Sequence, residues 1–197
     1  MDLVFTLTGL SPLLHHNPRM VDPEFDINRQ IKALTGKRKK TDEDLRQIEE
    51  LEWAGGLYAE EIDGVLVVTQ PTSKMRKCFI NAGKISKQGK AIERALSFYD
   101  MHAPLIYDGP KDLKKLAEVK NQFRSRLSVV VGGKRIMRVR PSFFPWALSA
   151  RALFIDDAGL NLDELKSIVE LAGRVEGIGD NRVNGYGRFT TKVEVVK

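Results

Sequence analysis

The amino-acid sequence predicts an α+β domain with the element order strand, helix, strand, strand, helix, strand. Both ends of the chain alternate apolar and polar residues, which is the two-residue period of a half-buried strand. Two segments between them repeat apolar residues at three- and four-residue spacing, the period of a helix with one buried face. A β-branched run near residue 130 and an alternating segment after residue 146 supply the two middle strands.

The first half of this core consists of one strand and one helix. Residues 3–9 place Leu3, Phe5 and Leu7 on one side of a strand, opposite smaller or polar neighbours. Residues 71–82 place their apolar side chains on one face of a helix and their lysines on another. We therefore expect both elements to pack against a common core.

The segment between that strand and that helix is polar and charged. We interpret residues 20–69 as an insertion into a core made of residues 1–19 and 70–197. The pattern within it predicts a helix over 28–34, a basic loop over 36–40, a second helix from Thr41 to Trp53, and a hairpin that turns at Asp63-Gly64. Thr41 is the residue type that caps the first turn of a helix.

The second half of the chain supplies the remaining core elements. They are a strand over 127–140 that bends at Gly132-Gly133, a strand over 146–155, a helix over 161–172 capped by Asn161, and a final strand over 188–196. The resulting β-α-β-β-α-β order is that of ferredoxin-like, or RRM-like, domains, whose helices cover one sheet face and leave the other free. Because unrelated functions share this fold, the function has to be argued from the site.

Composition narrows the class of partner. The 197 residues carry a formal net charge of +6 with a pI near 9.4, which favours an anionic partner, nucleic acid in preference to a membrane. The single cysteine, Cys78, falls on the apolar face of the first core helix and excludes a disulfide framework and a thiolate zinc site. No signal peptide or membrane-spanning run is recognisable, so we expect a cytoplasmic protein. No P-loop and no zinc-ligand spacing is recognisable either, so we expect neither a cofactor nor a metal.

A glycine-rich, basic loop at residues 177–189 separates the second core helix from the last strand. Its four glycines are Gly177, Gly179, Gly185 and Gly187. Glycines permit positive φ angles and close approach of a backbone or a phosphate, and Arg182 and Arg188 add charge beside the amides. The dinucleotide fingerprint is excluded, because it follows a strand and precedes a helix. Two interpretations stay open: a phosphate contact, or a structural loop whose glycines only make turns.

Basic residues also cluster on a strand and on the insertion. Arg138 and Arg140 share one face of the 127–140 strand, and the aromatic residues Phe143, Phe144 and Trp146 follow. A single-stranded nucleic acid needs cations along its backbone and aromatics that stack on its bases, although the same aromatics also suit a core. The tip of the insertion, residues 37–40, is either a phosphate clamp or an ordinary solvated loop.

Two adjacent histidines follow the first strand. His15 and His16 are weak candidates for general acid or base catalysis, because histidine titrates near neutral pH. Neighbouring side chains point apart, and no H-x-x-x-H or cysteine spacing accompanies them, so a metal site is not expected.

Two stretches resemble a known family. Residues 185–189, which read Gly-Tyr-Gly-Arg-Phe within the loop at 177–189, and residues 7–13, which read Leu-Thr-Gly-Leu-Ser-Pro-Leu, resemble the repeat-associated (RAMP) superfamily, the RNA-binding subunits and processing ribonucleases of CRISPR systems. The whole chain is also similar to small phage-encoded proteins that end in a comparable strand. The resemblance implies RNA or single-stranded DNA at the glycine-rich loop, a thumb-like role for residues 20–69, and head-to-tail assembly along the strand.

These observations lead to three hypotheses. The first is a non-catalytic protein that binds single-stranded nucleic acid, RNA in preference to DNA, and forms homo-oligomers or filaments. Its site residues are Lys37, Arg38, Lys39, Lys40, Arg138, Arg140, Gly177, Gly179, Arg182, Gly185, Gly187 and Arg188. The second is a metal-independent endoribonuclease in which His15 or His16 acts as general base on a 2′-hydroxyl. The third is a phage accessory or structural protein that binds other proteins.

Overall fold

A computed structural model describes residues 1–156 and 158–196. Its strands are β1 (Asp2–Gly9), β2 (Leu13–Leu14), β3 (Ala59–Ile62), β4 (Val65–Pro71), β5 (Leu96–Phe98), β6 (His102–Tyr107), β7 (Arg124–Val131), β8 (Lys134–Phe143), β9 (Trp146–Phe154) and β10 (Phe189–Val195). Its α-helices are α1 (Asp26–Thr35), α2 (Asp42–Gly56), α3 (Thr72–Gly83), α4 (Gly89–Ala95), α5 (Leu113–Glu118) and α6 (Leu162–Val175). The α+β class is confirmed. No helix among these residues is long and apolar enough to cross a membrane.

The larger sheet brings the two ends of the chain together. Its strand order is β10-β1-β9-β6-β4-β3, and β5 also pairs with β9. All of these pairings are antiparallel. Phe5 lies opposite Val193 on one side and Ala150 on the other, so β1 is an interior strand of the sheet. The predicted strands at 3–9, 146–155 and 188–196 are therefore confirmed as neighbours in one sheet.

Helices α3 and α6 cover one face of this sheet. The buried side of β1, Leu3, Phe5 and Leu7, is fully enclosed. Phe5 packs against Phe79 of α3 with 5.5 Å between ring centroids. Burial of each such side chain stabilises the fold by about 1.5–3 kcal/mol. The helices predicted at 71–82 and 161–172 are thus confirmed, and each buries its apolar face.

The predicted core strand at 127–140 is wrong in its place and its continuity. Gly132 and Gly133 both have positive φ, 56° and 77°, so they reverse the chain instead of bending it. The segment becomes the hairpin β7–β8, with Val129 opposite Ile136, and joins β2 in a separate three-stranded sheet. The position beside β9 is taken by β6, which buries Ala103, Leu105 and Tyr107.

The segment 20–69 contains the predicted helices and hairpin. Helix α2 begins with a capping box in which Thr41 Oγ1 accepts from Asp44 N at 3.2 Å and Asp44 Oδ2 accepts from Thr41 N at 3.0 Å. Asp63 and Gly64 form the turn between β3 and β4, both with positive φ. Strand β4 continues to Pro71 and pairs with β6, so this hairpin extends the large sheet.

Candidate nucleic-acid interface

The glycine-rich loop folds back on itself and on β2 through contacts that only glycine permits. A Cβ on Gly187, whose φ is 66°, would lie 1.8 Å from the Ile178 carbonyl oxygen. A Cβ on Gly179, whose φ is 84°, would lie 2.5 Å from the Leu14 carbonyl oxygen. Gly177 is similarly tight, with the Gly187 carbonyl oxygen at 2.8 Å. In each of these three cases the nearest atom is a backbone carbonyl oxygen of the protein itself, which favours the interpretation of the motif as a structural loop whose glycines make turns.

Gly185 differs from the other glycines of the loop. Its φ is 84°, but a Cβ there would have no atom within 4 Å. It ends the short 3-10 turn Arg182–Asn184, whose Asn181 also adopts a left-handed conformation. This part of the loop projects outward, and its Val183 side chain is 92% exposed.

Ser11 joins the glycine-rich loop to the segment after β1. Its hydroxyl donates to the Gly185 carbonyl at 2.7 Å and accepts from Arg188 N at 2.9 Å. Leu10 N donates to the Arg188 carbonyl at 2.7 Å, and Gly187 N donates to the Pro12 carbonyl at 2.8 Å. The two stretches that carry the family resemblance, 7–13 and 185–189, are thus hydrogen-bonded to each other. Sequence reasoning did not single out Ser11, although it lies within the first of them.

Two adjacent concavities meet at the start of this loop. The first, about 520 Å³, lies between α1, α2, the β7–β8 hairpin and the loop, and its polar lining includes His16, Glu52, Arg138 and Arg140. The second, also about 520 Å³, is lined by Glu176, Arg182, Val183 and Arg188. Both include Asp180 and Asn181. We call the combined surface the arginine groove.

Ion pairs hold most of the arginines of the groove. Arg138 Nη1 pairs with Glu52, which is only 4% exposed and also accepts from Val139 N at 2.8 Å. Arg140 Nε lies 3.0 Å from Asp180 Oδ2, and Arg182 Nη1 lies 3.3 Å from Glu176 Oε2.

Arg188 is held in another way. Its Nη2 donates to the Arg182 carbonyl at 3.2 Å, while Nη1 is enclosed without a hydrogen-bond partner among the described residues. It forms no ion pair with a carboxylate within those residues. The groove therefore contains four arginines and three carboxylates, with Arg188 as the uncompensated charge.

The acids of the groove were missed in the sequence. Glu52 lies four residues after Ile48 on α2, so the two residues share one helix face. An acidic residue on the same face as an apolar residue was the one sequence signal for a buried acid. Asp180 and Glu176 flank the glycines, but their partners lie on other elements or across a turn. No local pattern identifies such pairs.

The basic tip of the insertion lies at the outer end of α1, whose Asn28 and Ile31 line the groove. Lys37 Nζ pairs with Asp44 at 2.6 Å, and Lys40 Nζ donates to the Lys37 carbonyl at 3.1 Å. Arg38 and Lys39 are exposed. Among the described residues neither has an ion-pair partner. Lys37 thus supports the start of α2, and Arg38 and Lys39 remain available to a ligand.

The aromatic residues after β8 are mostly core residues. Phe143 is fully buried and packs 4.9 Å from Tyr107 between ring centroids. Trp146 is buried and its Nε1 donates to the Ser11 carbonyl at 2.8 Å. Only Phe144 of this group is exposed, at 55%. The stacking interpretation is therefore wrong for Phe143 and Trp146, because strand alternation turns both inward.

The two histidines have different environments. His15 is fully buried between Tyr58 and Phe143, and burial lowers its pKa to about 3, with a partial opposing effect of Gln70. No ligand in the groove can reach it. His16 lines the groove, where burial and then the positive charge of Arg140 lower its pKa. Its Nδ1 is enclosed without a partner among the described residues.

Comparisons with known proteins give little further information. No family model matches the chain, and no curated protein sequence matches it. One solved structure, the cryo-EM structure of the type III-B Cmr-beta complex bound to cognate target RNA, is similar over 98% of this chain and 97% of its own, at 12% identity and a TM-score of 0.33. This similarity is too low to establish a shared fold. Within residues 1–156 and 158–196, no three histidine, cysteine, aspartate or glutamate side chains are grouped as a metal site requires.

Proposed function

We propose that this protein is a non-catalytic nucleic-acid-binding protein that holds a single strand, RNA in preference to DNA, in the arginine groove. The observation that carries the proposal is the convergence of Arg138, Arg140, Arg182 and Arg188 on two concavities that share Asp180 and Asn181. These arginines come from β8 and from the glycine-rich loop, two of the regions in which the sequence placed candidate phosphate contacts.

The ion pairs of the groove leave some N–H donors of the arginines available to a ligand. A guanidinium has five N–H donors, and a single carboxylate occupies one or two of them. The side chains of Arg138 and Arg182 remain 31% and 39% exposed. Their acid partners hold them in place, so a phosphate meets pre-ordered donors and loses less side-chain entropy on binding. Arg188 adds a charge that no carboxylate neutralises within the described residues.

The rim of the groove adds exposed cations. Arg38 and Lys39 lie at the end of α1, and Lys134 and Arg135 lie beside the β7–β8 turn, all of them exposed. Each phosphate that they neutralise releases counterions, which strengthens binding at low salt. Apolar side chains on the groove wall, Ile31, Leu127 and Val129, offer contact area to a ribose or a base.

The open face of the large sheet is the less suitable surface. Its central strands present hydroxyl and aliphatic side chains such as Thr6, Ser149 and Leu153. The aromatic ring beside them, Tyr99, is already engaged, because its hydroxyl donates to Asp2 Oδ1 at 2.5 Å and Arg151 lies over its ring at 5.8 Å. The cations of this sheet face are paired: Arg151 lies 3.7 Å from Asp2, and Lys192 lies 2.8 Å from Glu194. We therefore assign the ligand to the loop side of the molecule.

We extend the proposal to the fold family and the assembly. The antiparallel order β10-β1-β9-β6, with α3 between β1 and β6 and α6 between β9 and β10, supports a ferredoxin-like core in which β6 is the second strand. In this proposal residues 20–69 form the thumb-like subdomain: its helices α1 and α2 close one side of the groove, and its β3–β4 hairpin joins it to the large sheet. The resemblance of 7–13 and 185–189 to the RAMP superfamily supports RNA as the ligand and head-to-tail assembly of copies along it.

The test is fluorescence anisotropy with labelled single-stranded RNA, single-stranded DNA and duplex over a salt series. The variant is Arg182→Gln with Arg188→Gln. The matched control is Arg46→Gln with Arg151→Gln, which removes the same charge from side chains that are 72% and 57% exposed on other surfaces. If both arginines contact phosphates, the groove variant lowers the salt slope by about 1.4. Equal losses in both variants would show that generic charge drives binding, and no wild-type binding at low salt would favour a protein-binding role.

A second candidate function is RNA cleavage at His16. The observation in its favour is that His16 lines the groove and that burial, followed by the positive charge of Arg140, lowers its pKa, so the imidazole is neutral and able to accept a proton at neutral pH. The same samples are therefore run on a denaturing gel. Shortened RNA with wild type, but not with His16→Ala of equal affinity, would replace the binding proposal by an endoribonuclease.

A further inference from the structure

A second basic surface lies on the helix layer, away from the arginine groove. Lys77, Lys84, Lys87 and Lys90 line a shallow concavity of about 420 Å³ between α3 and α4. All four side chains are exposed. The lining contains one acid, Glu93, and no lysine of the four pairs with a carboxylate in the part of the chain that the structure describes. The concavity is lined by four positive charges and one negative charge.

A rigid turn holds these lysines on one side of the molecule. Gln88 N donates to the Gly83 carbonyl at 2.7 Å, and Lys87 adopts a positive φ of 62°. A Cβ on Gly89 would lie 3.0 Å from the Ile80 carbonyl oxygen, so the start of α4 is pressed against the end of α3. The turn therefore fixes the relative positions of the backbone segments that carry Lys84, Lys87 and Lys90.

The charge balance of this surface differs from that of the arginine groove. In the groove, Glu52, Asp180 and Glu176 each pair with an arginine, which gives a nearly neutral floor. On the helix layer the like charges of the lysines repel one another and only Glu93 offsets them. An uncompensated cluster of this kind destabilises the free protein and is relieved when an anion binds.

We propose that Lys77, Lys84, Lys87 and Lys90, the lysine surface, are a second contact for the backbone phosphates of a long single strand whose other part occupies the arginine groove. This inference rests on the proposed function. Lysine ammonium groups act as hydrated point charges, and no aromatic residue lines the concavity. We therefore expect this surface to contact the phosphates of the strand and not to recognise its bases.

Helix α3 connects the two surfaces. Lys77 faces the lysine surface, while the adjacent Cys78 Sγ contacts the Ala172 carbonyl of α6 at 3.8 Å. The C-terminal end of α6 leads directly into the groove through Val175 and Glu176. The two surfaces share no lining residue, so a nucleic-acid strand that reaches both is longer than one that fills the groove alone.

The experiment compares strand lengths in one protein. Anisotropy is measured with single-stranded RNA of roughly 8 nucleotides, which is within the usual site size of about 4–16 nucleotides per single-strand-binding fold, and of roughly 30 nucleotides, which exceeds it. The variant is Lys84→Gln with Lys87→Gln, and the matched control is Lys114→Gln with Lys115→Gln, two exposed lysines of α5. We expect the variant to lower the salt slope for the long strand by about 1.4, to raise its Kd several-fold and to leave the short strand unchanged.

Three results would overturn the inference. Equal effects of the variant and the control on the long strand would show that the lysines act only through net charge. An equal loss for both strand lengths would show that they do not form a separate contact. The third result is that wild type binds neither RNA at low salt, in which case the proposed function itself fails. Either of the first two results, obtained with a wild type that binds both RNAs, refutes only the lysine surface.

Discussion

Arg140 Nε lies 3.0 Å from Asp180 Oδ2, and this ion pair joins strand β8 to the glycine-rich loop across the floor of the arginine groove. The Arg140 side chain is only 15% exposed, so water screens the pair poorly. Asp180 is also held through its backbone, because Asp180 N donates to the Leu14 carbonyl at 2.8 Å. The pair therefore sets the position of the loop relative to the β7–β8 hairpin.

Breaking this pair is expected to destabilise the fold. Arg140→Gln removes a charged hydrogen bond from a half-enclosed site, which costs about 1.5–3 kcal/mol of unfolding free energy in urea denaturation. Arg151→Gln is the control, because its partner Asp2 lies at 3.7 Å and the arginine is 57% exposed. A double-mutant cycle with Asp180→Asn isolates the pair. A coupling energy near zero would contradict a structural role for it.

Alanine substitutions at two glycines of the glycine-rich loop distinguish the stability cost of steric crowding from that of backbone strain. Gly187→Ala is expected to cost about 2–4 kcal/mol, because it combines a positive φ with a Cβ placed 1.8 Å from the Ile178 carbonyl oxygen. Gly185→Ala has a similar positive φ but no atom within 4 Å, so strain alone costs about 1–2 kcal/mol. Equal losses in chemical denaturation would mean that the close backbone approach does not matter.

His15 is expected to make the stability depend on pH in the acid range. Burial lowers its folded-state pKa to about 3, below the unfolded value of 6.5, so the unfolded state binds more protons between these values. Stability is therefore complete above pH 6.5 and is lost as pH falls towards 3, by at most about 1.4 kcal/mol per pH unit from this residue.

The measurement is urea denaturation of wild type and His15→Gln from pH 7.5 to pH 4. The difference between the two proteins removes the contribution of the carboxylates that they share. A variant whose stability falls as steeply as that of wild type would show that His15 is not buried in its neutral form.

Release of Arg182 from its acid partner is expected to strengthen nucleic-acid binding. Glu176→Gln removes the carboxylate that lies 3.3 Å from Arg182 Nη1, so its negative charge no longer offsets the guanidinium. The Kd for single-stranded RNA at low salt then falls, because the phosphates are no longer repelled by Glu176, while the number of phosphates that Arg182 contacts, and therefore the salt slope, stays the same. Glu170→Gln, an exposed acid of the same helix paired with Arg174 at 3.4 Å, is the matched control. No difference between the two variants would place the ligand away from Arg182.

The sequence alone identified the elements whose signals are local. The apolar periodicity of α3 and α6 and the alternation of β1, β9 and β10 were sufficient for their type and approximate bounds. The caps at Thr41 and Asn161 were also readable, because a capping box involves residues only three positions apart. These predictions depend on interactions within one turn or one strand.

Pairing between distant segments was decided only by the tertiary structure. Residues 127–140 have strand character whether they run through the core sheet or turn back as a hairpin, and the left-handed glycines at 132 and 133 selected the hairpin. The position beside β9 is occupied by β6, whose residues have strand character in the sequence but carry no local sign of their partner. The type of an element is a local property, whereas its partner is not.

The same distinction applies to the candidate site. The sequence identified Arg138, Arg140, Arg182 and Arg188 as cations, and only the fold supplied the acids that neutralise the first three. Glu52 lies 86 positions from Arg138 along the chain, and no local rule connects them. His15 and His16 are neighbours of one residue type, yet one is in the core and the other lines the groove. The sequence determines which side chains carry a charge or titrate. Whether such a side chain is buried or paired with an opposite charge depends on contacts between distant segments.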